Sequence, residues 1–505
     1  MLLNKRNKQT VLALLGAWSL GAGLTVGAAE IEATFESMHV SSQDHLLVAN
    51  RRDPNDPTAT ASQFLLHENK VGVESGPFRM GLHISNRFLL NESASASLTS
   101  KPFTLEKKSL IGEWNEWDFQ IGDSYQELGK GIALSLYQDD VFGVNHTLEG
   151  ASFKYHPKGF EIGGFAGRVN AISVPVAVYA TENSVKDRTV WLLGSSVGGN
   201  PFEDTKISAH YLLALNQPNS YSGFDKTWTT VGATIQQNRL FSDAEGYGEV
   251  NALISHINVG GQDRVLPRGW GAYATVSWAP SPLKVKWEGK LYDEYNFEFR
   301  RPPTLEEDIV ETTNTQNVIA SKWLVDYKLP ESKAAVGASY LLGYDRPTAA
   351  PIHHLVGTAK WKILPSWDVE SKAGYRHSPD RNWLLHASFK TKIKTFKGQY
   401  VELGYRKQLG RVKLNLLPSD EDRNAVDFSY AFSERISTSV GYEYLPENDP
   451  EFGQHFANVG ASLRFGSLVA KAMFGQTSGG TLCSAGVCRQ VPPFTGALFE
   501  TAYTF

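Results

Sequence analysis

The chain has 505 residues, a formal net charge of −4, 41% hydrophobic and 11% aromatic residues, 45 glycines and two cysteines. That length alone suggests two or three soluble domains, yet no Pro/Ser-rich linker or low-complexity tract divides the chain, and only the amino-terminal run is strongly apolar. No zinc-ligand spacing and no Cys-x-x-Cys-His occurs, so neither a metal nor any other cofactor is expected, and nothing in the charge distribution suggests a nucleic-acid partner.

At the amino terminus Lys5, Arg6 and Lys8 precede an apolar run from Val11 to Val26, followed by the small residues Gly27, Ala28 and Ala29. This is the layout of a secretory signal peptide over residues 1–29, and the run is shorter than the roughly 20 residues of a spanning helix. Its removal leaves a chain of about −7 over residues 30–505.

From there to the end, apolar and polar residues alternate in pieces of roughly ten residues, the length of a tilted strand that crosses a bilayer. About 24 such pieces can be counted, within a range of about 20 to 26. The clearest is Trp270 to Trp278, where Trp270, Ala272, Ala274, Val276 and Trp278 alternate with Gly271, Tyr273, Thr275 and Ser277. After the turn Ala279 to Pro282, Leu283, Val285, Trp287 and Leu291 share one face, and Lys284, Lys286, Glu288 and Lys290 the other. The mean hydropathy of −0.29 conceals such a membrane segment because one face of every strand is polar.

Short turns are expected at 75–77, 156–159, 279–282, 329–332, 364–366, 394–397, 433–435 and 465–467. Each follows an even-numbered strand. Longer links, at 41–60, 127–145, 171–186, 294–314, 408–423 and 475–492, follow odd-numbered ones. The fold class expected is an all-β, transmembrane antiparallel barrel with short periplasmic turns and longer outer loops.

Function would lie on the inward polar faces. From strand to strand these carry Lys284, Lys286, Lys290, Lys322, Lys360, Lys362, Lys372, Arg376, Lys390, Lys392, Arg406 and Arg464, with Arg79, His83 and Arg87 earlier in the chain. A basic lumen favours anions; the alternative is that these charges pair across neighbouring strands with acidic residues such as Glu288, Glu370 and Glu402. Within the 122–150 link, Gly129, Gly131 and Leu134 lie in an apolar stretch followed by Asp139 and Asp140, and the segment is read as a constriction loop folding into the mouth. The acidic 294–314 link is read as a solvated outer loop rather than a Ca²⁺ site, since its spacing matches no calcium loop. Cys483 and Cys488 are read as a disulfide stapling a loop. His386 and Ser388 share a strand face, but no third group is identifiable to orient the imidazole, and no enzyme activity is expected.

The chain closes on Ala497, Phe499, Thr501, Tyr503 and Phe505, a terminal strand that resembles the signal read by the barrel-assembly machinery of Gram-negative bacteria. With the signal peptide and the alternating link lengths, the whole mature chain resembles the bacterial outer-membrane β-barrels, porin-type proteins in particular. The resemblance implies an outer-membrane location, contact with lipid and lipopolysaccharide, and passive passage of small solutes. The strand number also makes the chain similar to scaffold porins that sheathe a multihaem cytochrome, which implies a periplasmic or lumen-filling protein partner instead.

Overall fold

The computed structural model describes residues 39–504 apart from 53–61, 90–100, 140–143, 172–189, 217–223, 242, 260–261, 266–267, 296–302, 304, 306–316, 331, 346–349, 379–380, 396–397, 415–416, 421, 447–453, 478–479, 485–486 and 492–493. The segment read as a signal peptide lies outside the described residues, as does Phe505.

Among the described residues, 24 long strands form one antiparallel sheet. The first eight are β1 (His39–Arg52), β2 (Ser62–Ser75), β3 (Phe78–Leu89), β4 (Lys101–Trp114), β5 (Trp117–Ser124), β6 (Val144–Tyr155), β7 (Phe160–Ala171) and β8 (Val190–Phe202). The middle eight are β9 (Thr205–Asn216), β10 (Phe224–Gln237), β11 (Ala244–Val259), β12 (Gly269–Trp278), β13 (Leu283–Asp293), β14 (Val318–Leu329), β15 (Ala334–Asp345) and β16 (Ala350–Leu364). The last eight are β17 (Trp367–His377), β18 (Arg381–Lys394), β19 (Tyr400–Leu414), β20 (Arg423–Ala431), β21 (Ile436–Leu445), β22 (Gln454–Phe465), β23 (Leu468–Thr477) and β24 (Phe494–Thr504).

Every strand pairs with its chain neighbours, and β1 pairs with β24 from Gln43 opposite Thr504 to Arg52 opposite Thr495. The sheet is therefore a closed barrel without an edge, as the alternation and the count of pieces anticipate. The short turns expected from the sequence gather at one mouth with the two ends of the barrel, and three further short links, at 115–116, 203–204 and 238–243, join them there. Asn115, Asp204 and Lys333 hold positive φ in these turns.

Several links expected to be loops are partly strand. β1 runs to Arg52, β19 continues to Leu414 and pairs back with Leu417–Asp420, and Gly480–Ser484 pairs with Val487–Val491. Backbone ladders continue beyond the membrane, where both faces are polar and the period-two hydrophobic signal stops. Strand lengths range from 8 residues in β5 to 16 in β11, and most exceed the uniform ten-residue pattern for the same reason.

Two faces follow from the pleat. On β8, Trp191, Leu193 and Val197 are exposed while Val190 and Leu192 are buried. On β14, Ile319, Trp323 and Val325 are exposed while Ala320 and Lys322 are buried. The exposed set is apolar around the barrel, through Val231, Val250, Leu342, Leu355, Phe389, Phe428, Val459 and Phe499. Such a belt is untenable in water and is the lipid-facing surface of a membrane barrel. Trp114 and Trp117 lie at the short-turn mouth, where Trp117 stacks on Tyr155 at 4.4 Å and contributes to an interfacial aromatic girdle.

Val231 stands mid-strand on the outer face. Val231→Arg is expected to cost about 2–4 kcal/mol in urea-induced unfolding from lipid vesicles. A neutral effect would place that face in water.

Candidate functional site, the lumen and the segment that crosses it

The inner face holds a core of its own. Apolar side chains on successive strands, from Leu148 on β6 through Leu192, Leu212, Trp228, Leu253 and Tyr273 to Ile352 on β16, are buried among one another and a segment that leaves the wall after β5. In that segment Glu127–Leu128 pairs with Leu134–Ser135 as a miniature hairpin, and the main-chain N–H of Leu136 donates to Gln126 O at 2.8 Å. Ile132, Ala133 and Leu134 are fully buried. Their partners lie on the inner wall, so the segment runs inside the barrel.

Its anchor is Glu249, a buried carboxylate on β11. Glu249 Oε2 accepts the main-chain N–H of Lys130 at 2.7 Å and the Tyr247 hydroxyl at 2.6 Å, and Oε1 accepts Asn251 Nδ2 at 2.8 Å. His210 Nε2 lies 2.6 Å from Asn251 Oδ1 and extends the network to β9. Three donors on one carboxylate offset the cost of burying its charge. Gly129 makes the approach possible. It holds φ +65°, and a Cβ there would meet the Glu249 carboxylate within 2.0–2.4 Å. Further along, Ile132 and Tyr295 both lie against Gly271 of β12.

The link after β13 also turns inward. Tyr295, which stacks on Tyr292 at 6.3 Å, and Leu305 are buried in the same core. This corrects the expectation of a wholly solvated 294–314 loop: its described apolar residues, Tyr295 and Leu305, are packed into the inner core.

Of the residues read as a constriction, Gly129, Gly131 and Leu134 are thus brought together in the lumen. Asp139 lies in the short strand Gln138–Asp139, which pairs with the start of β6, and Asp140 falls outside the described residues.

The basic residues are arranged in cross-strand rows. Lys286 pairs with Glu288 at 2.9 Å, Lys360 with Glu370 at 2.8 Å, Lys390 with Glu402 at 2.8 Å and Arg406 with Asp427 at 3.0 Å. Lys284 stands opposite Asp326, Lys322 opposite Glu288, Lys362 opposite Asp368, and Lys372 between Thr358 and Ser388. Lys290 and Lys322 are buried beside the inner core. Arg376 is fully buried and donates to Ser378 Oγ. Lys392 Nζ sits 3.9 Å above the Tyr400 ring, and Arg464 stands opposite Val469 near the short-turn mouth. Cross-strand pairing, one of the two readings of these charges, is realised for Lys360, Lys390 and Arg406, whereas Lys286 bridges to Glu288 along its own strand. Exposed pairs such as Lys360–Glu370 contribute about 0–1 kcal/mol each.

One network was not legible in the sequence. His45 on β1 places Nδ1 2.9 Å from Glu68 of β2 and Nε2 3.2 Å from Glu500 of β24, while His83 of β3 places Nε2 3.2 Å from the other Glu68 oxygen. Lys471 of β23 reaches Glu500 at 3.6 Å. The inward side of His83 follows from alternation, but the partners require the register and the closure of the sheet. His386 Nε2 faces His354 Nε2 at 2.9 Å, and Ser388 stands opposite Lys372 and Arg406. Cys483 stands opposite Cys488 in the 480–491 hairpin, the register of a cross-strand disulfide.

A closed antiparallel barrel with an even number of strands, an apolar exterior, a polar inner wall and short turns at one mouth has the architecture of bacterial outer-membrane proteins. The chain is an outer-membrane β-barrel. Residues 386–505 match the model of a family of unknown function (DUF6029). No curated protein matches the sequence. Among solved structures the chain is similar to the translocation pore of the P pilus usher PapC, at 10% identity and a TM-score of 0.45, over 92% of this chain and 99% of that one. It is also similar to the siderophore receptor PirA from Pseudomonas aeruginosa, at 7% identity and a TM-score of 0.49, over 92% and 80% of the two chains. A third similarity is to OpdO from Pseudomonas aeruginosa, at 11% identity and a TM-score of 0.39, over 68% and 93%.

Glu249→Ala removes the acceptor that holds Lys130. Loss of a charge-assisted hydrogen bond of about 1.5–3 kcal/mol should make the segment open roughly 10- to 100-fold more often, read as faster tryptic cleavage after Lys130 in the folded barrel. An unchanged rate would show that Glu249 does not hold the segment. Glu68→Ala leaves His45 and His83 without their shared acceptor. It should destabilise the barrel by about 1–3 kcal/mol, seen as a lower temperature for the electrophoretic shift between folded and unfolded forms.

Proposed function

We propose that the chain is an outer-membrane channel that passes small anionic solutes through a lumen narrowed by its own 127–136 segment. The observation that carries this reading is the burial of Ile132, Ala133 and Leu134 inside the barrel. With strands about 4.8 Å apart and tilted by about 40°, a circular barrel of 24 strands measures about 50 Å between opposite backbones. An unobstructed opening of that size would let small proteins leak, and the inward segments reduce it to a passage along the wall they leave uncovered. That wall, from β16 round to β4, is polar and carries Lys360, Lys390, Arg406 and Lys471 among its charges. Their partners offset part of the positive excess, so the anion preference expected is moderate.

Single-channel conductance in a planar bilayer tests the reading, with a salt gradient to give ion selectivity. Steady steps with a reversal potential displaced toward anions are expected. Replacing 127–136 by a Gly/Ser linker of equal length should enlarge the steps. If the linker variant conducts no better than the natural chain, the segment does not restrict the passage. Silence from a correctly folded barrel would overturn the open-channel reading in favour of a lumen occupied by a protein partner, such as the multihaem cytochrome of a scaffold porin.

A further inference from the structure

At the short-turn mouth, strands β14 to β19 line a concavity of 840 Å³ that contains Lys328, Lys333, Lys360, Lys362, Lys390 and Lys392. Alternation puts most of them on the inner wall: Lys328 lies between the outward Tyr327 and Leu329, Lys360 and Lys362 flank the outward Trp361, and Lys390 follows the outward Phe389. We propose that this concavity is a binding site for a small multivalent anion, such as a phosphorylated solute, entering or leaving the periplasmic mouth.

Three observations support it. Six lysines face only three carboxylates there, Asp368, Glu370 and Glu402, so the concavity carries an excess of three positive charges. Lys328, Lys333 and Lys362 make no ion pair among the described residues, and the carboxylates that pair with Lys360 and Lys390 do so through side chains that are mostly solvated on the lysine side. Such pairs exchange readily when a more highly charged anion arrives. The volume lies within the range of small-molecule sites, roughly 300–1,000 Å³, and is too small for a protein domain. The lysines stand on β14, β16 and β18 and in the turn before β15, so lysine-bearing strands lie about 10 Å apart across the sheet and their long side chains converge on the concavity. One monovalent ion reaches one or two of them, whereas an anion with charges on several oxygens bridges several. Lysine serves as a point-charge binder of phosphate, and no arginine lines the site.

The inference names the solute class of the proposed channel and rests on that reading for its role in transport, but binding itself does not. The experiment is titration of the refolded full chain in detergent with inorganic pyrophosphate, followed by calorimetry at low and moderate salt. The natural chain should bind saturably, more weakly as salt rises. The triple variant Lys328→Gln, Lys333→Gln, Lys362→Gln should bind at least tenfold more weakly. Lys154→Gln, which removes a charge near the same mouth on the far side of the barrel, should bind as the natural chain does. All variants are checked for the folded electrophoretic form, so that loss of binding is read only on folded barrels. No binding by the natural chain, or an equal loss in Lys154→Gln, overturns the site. Binding that follows the triple variant in a barrel without conductance upholds the site and sinks the channel reading.

Discussion

Hydrogen-bond closure of the backbone governs everything else in this molecule. Inside a bilayer no water satisfies an open strand edge, and each unpaired peptide group costs several kcal/mol. The pairing of β1 with β24 removes the edges and gives every strand two neighbours, and because this closing pair is antiparallel like all the others the count is even. Once the sheet is closed, the pleat divides the side chains without further instruction. Trp191 and Leu193 must meet lipid, and Leu192 between them must meet the interior.

A barrel of this circumference then has an interior that side chains alone cannot fill. The chain responds by turning parts of two links inward and building an apolar core inside a polar lumen. The inner faces of β6 to β16 are accordingly rich in Leu, Tyr and Trp, joined by charges from β13 onward, whereas the charged rows of β17 to β24 have no such apolar core beside them among the described residues. The two halves of the wall thus differ in kind: one is a packing surface for the chain itself, and the other is left to solvent and solutes. Glu249 is the point where the two requirements meet, a charge placed in an apolar setting to hold main-chain groups of a segment that has no strand neighbour there.

The strand pattern, the sense of the faces and the alternation of link lengths were readable from period two alone, because lipid imposes the same apolar spacing on every strand. Trp270 to Trp278 shows it most clearly. The inward path of Gly129 to Leu134 was signalled by apolar residues in a link where water should have favoured polar ones. Its anchor was not, because Glu249 looks like any other polar inner residue until the segment lies against it. The ion pairs were hidden for a related reason. Lys390, opposite Gly404, reaches diagonally to Glu402 only in one register, and a shift of two residues would preserve the faces while changing every partner. Likewise, the ladders of β1 and β19 beyond the membrane continue where alternation no longer reports them.

The His45 contact with Glu500 joins groups 455 residues apart in the chain, across the line where the sheet meets itself. Neighbouring hairpins can pair as soon as each has been made, but this contact requires both chain ends and all the strands between them. The His45–Glu500 contact, unlike the His45–Glu68 and Glu68–His83 contacts within the first three strands, is therefore a marker of completed assembly. A barrel arrested one hairpin short would have nearly the same secondary structure and lipid face, would keep the His45–Glu68–His83 contacts, and would lack the β1–β24 ladder and the His45–Glu500 contact that it brings together.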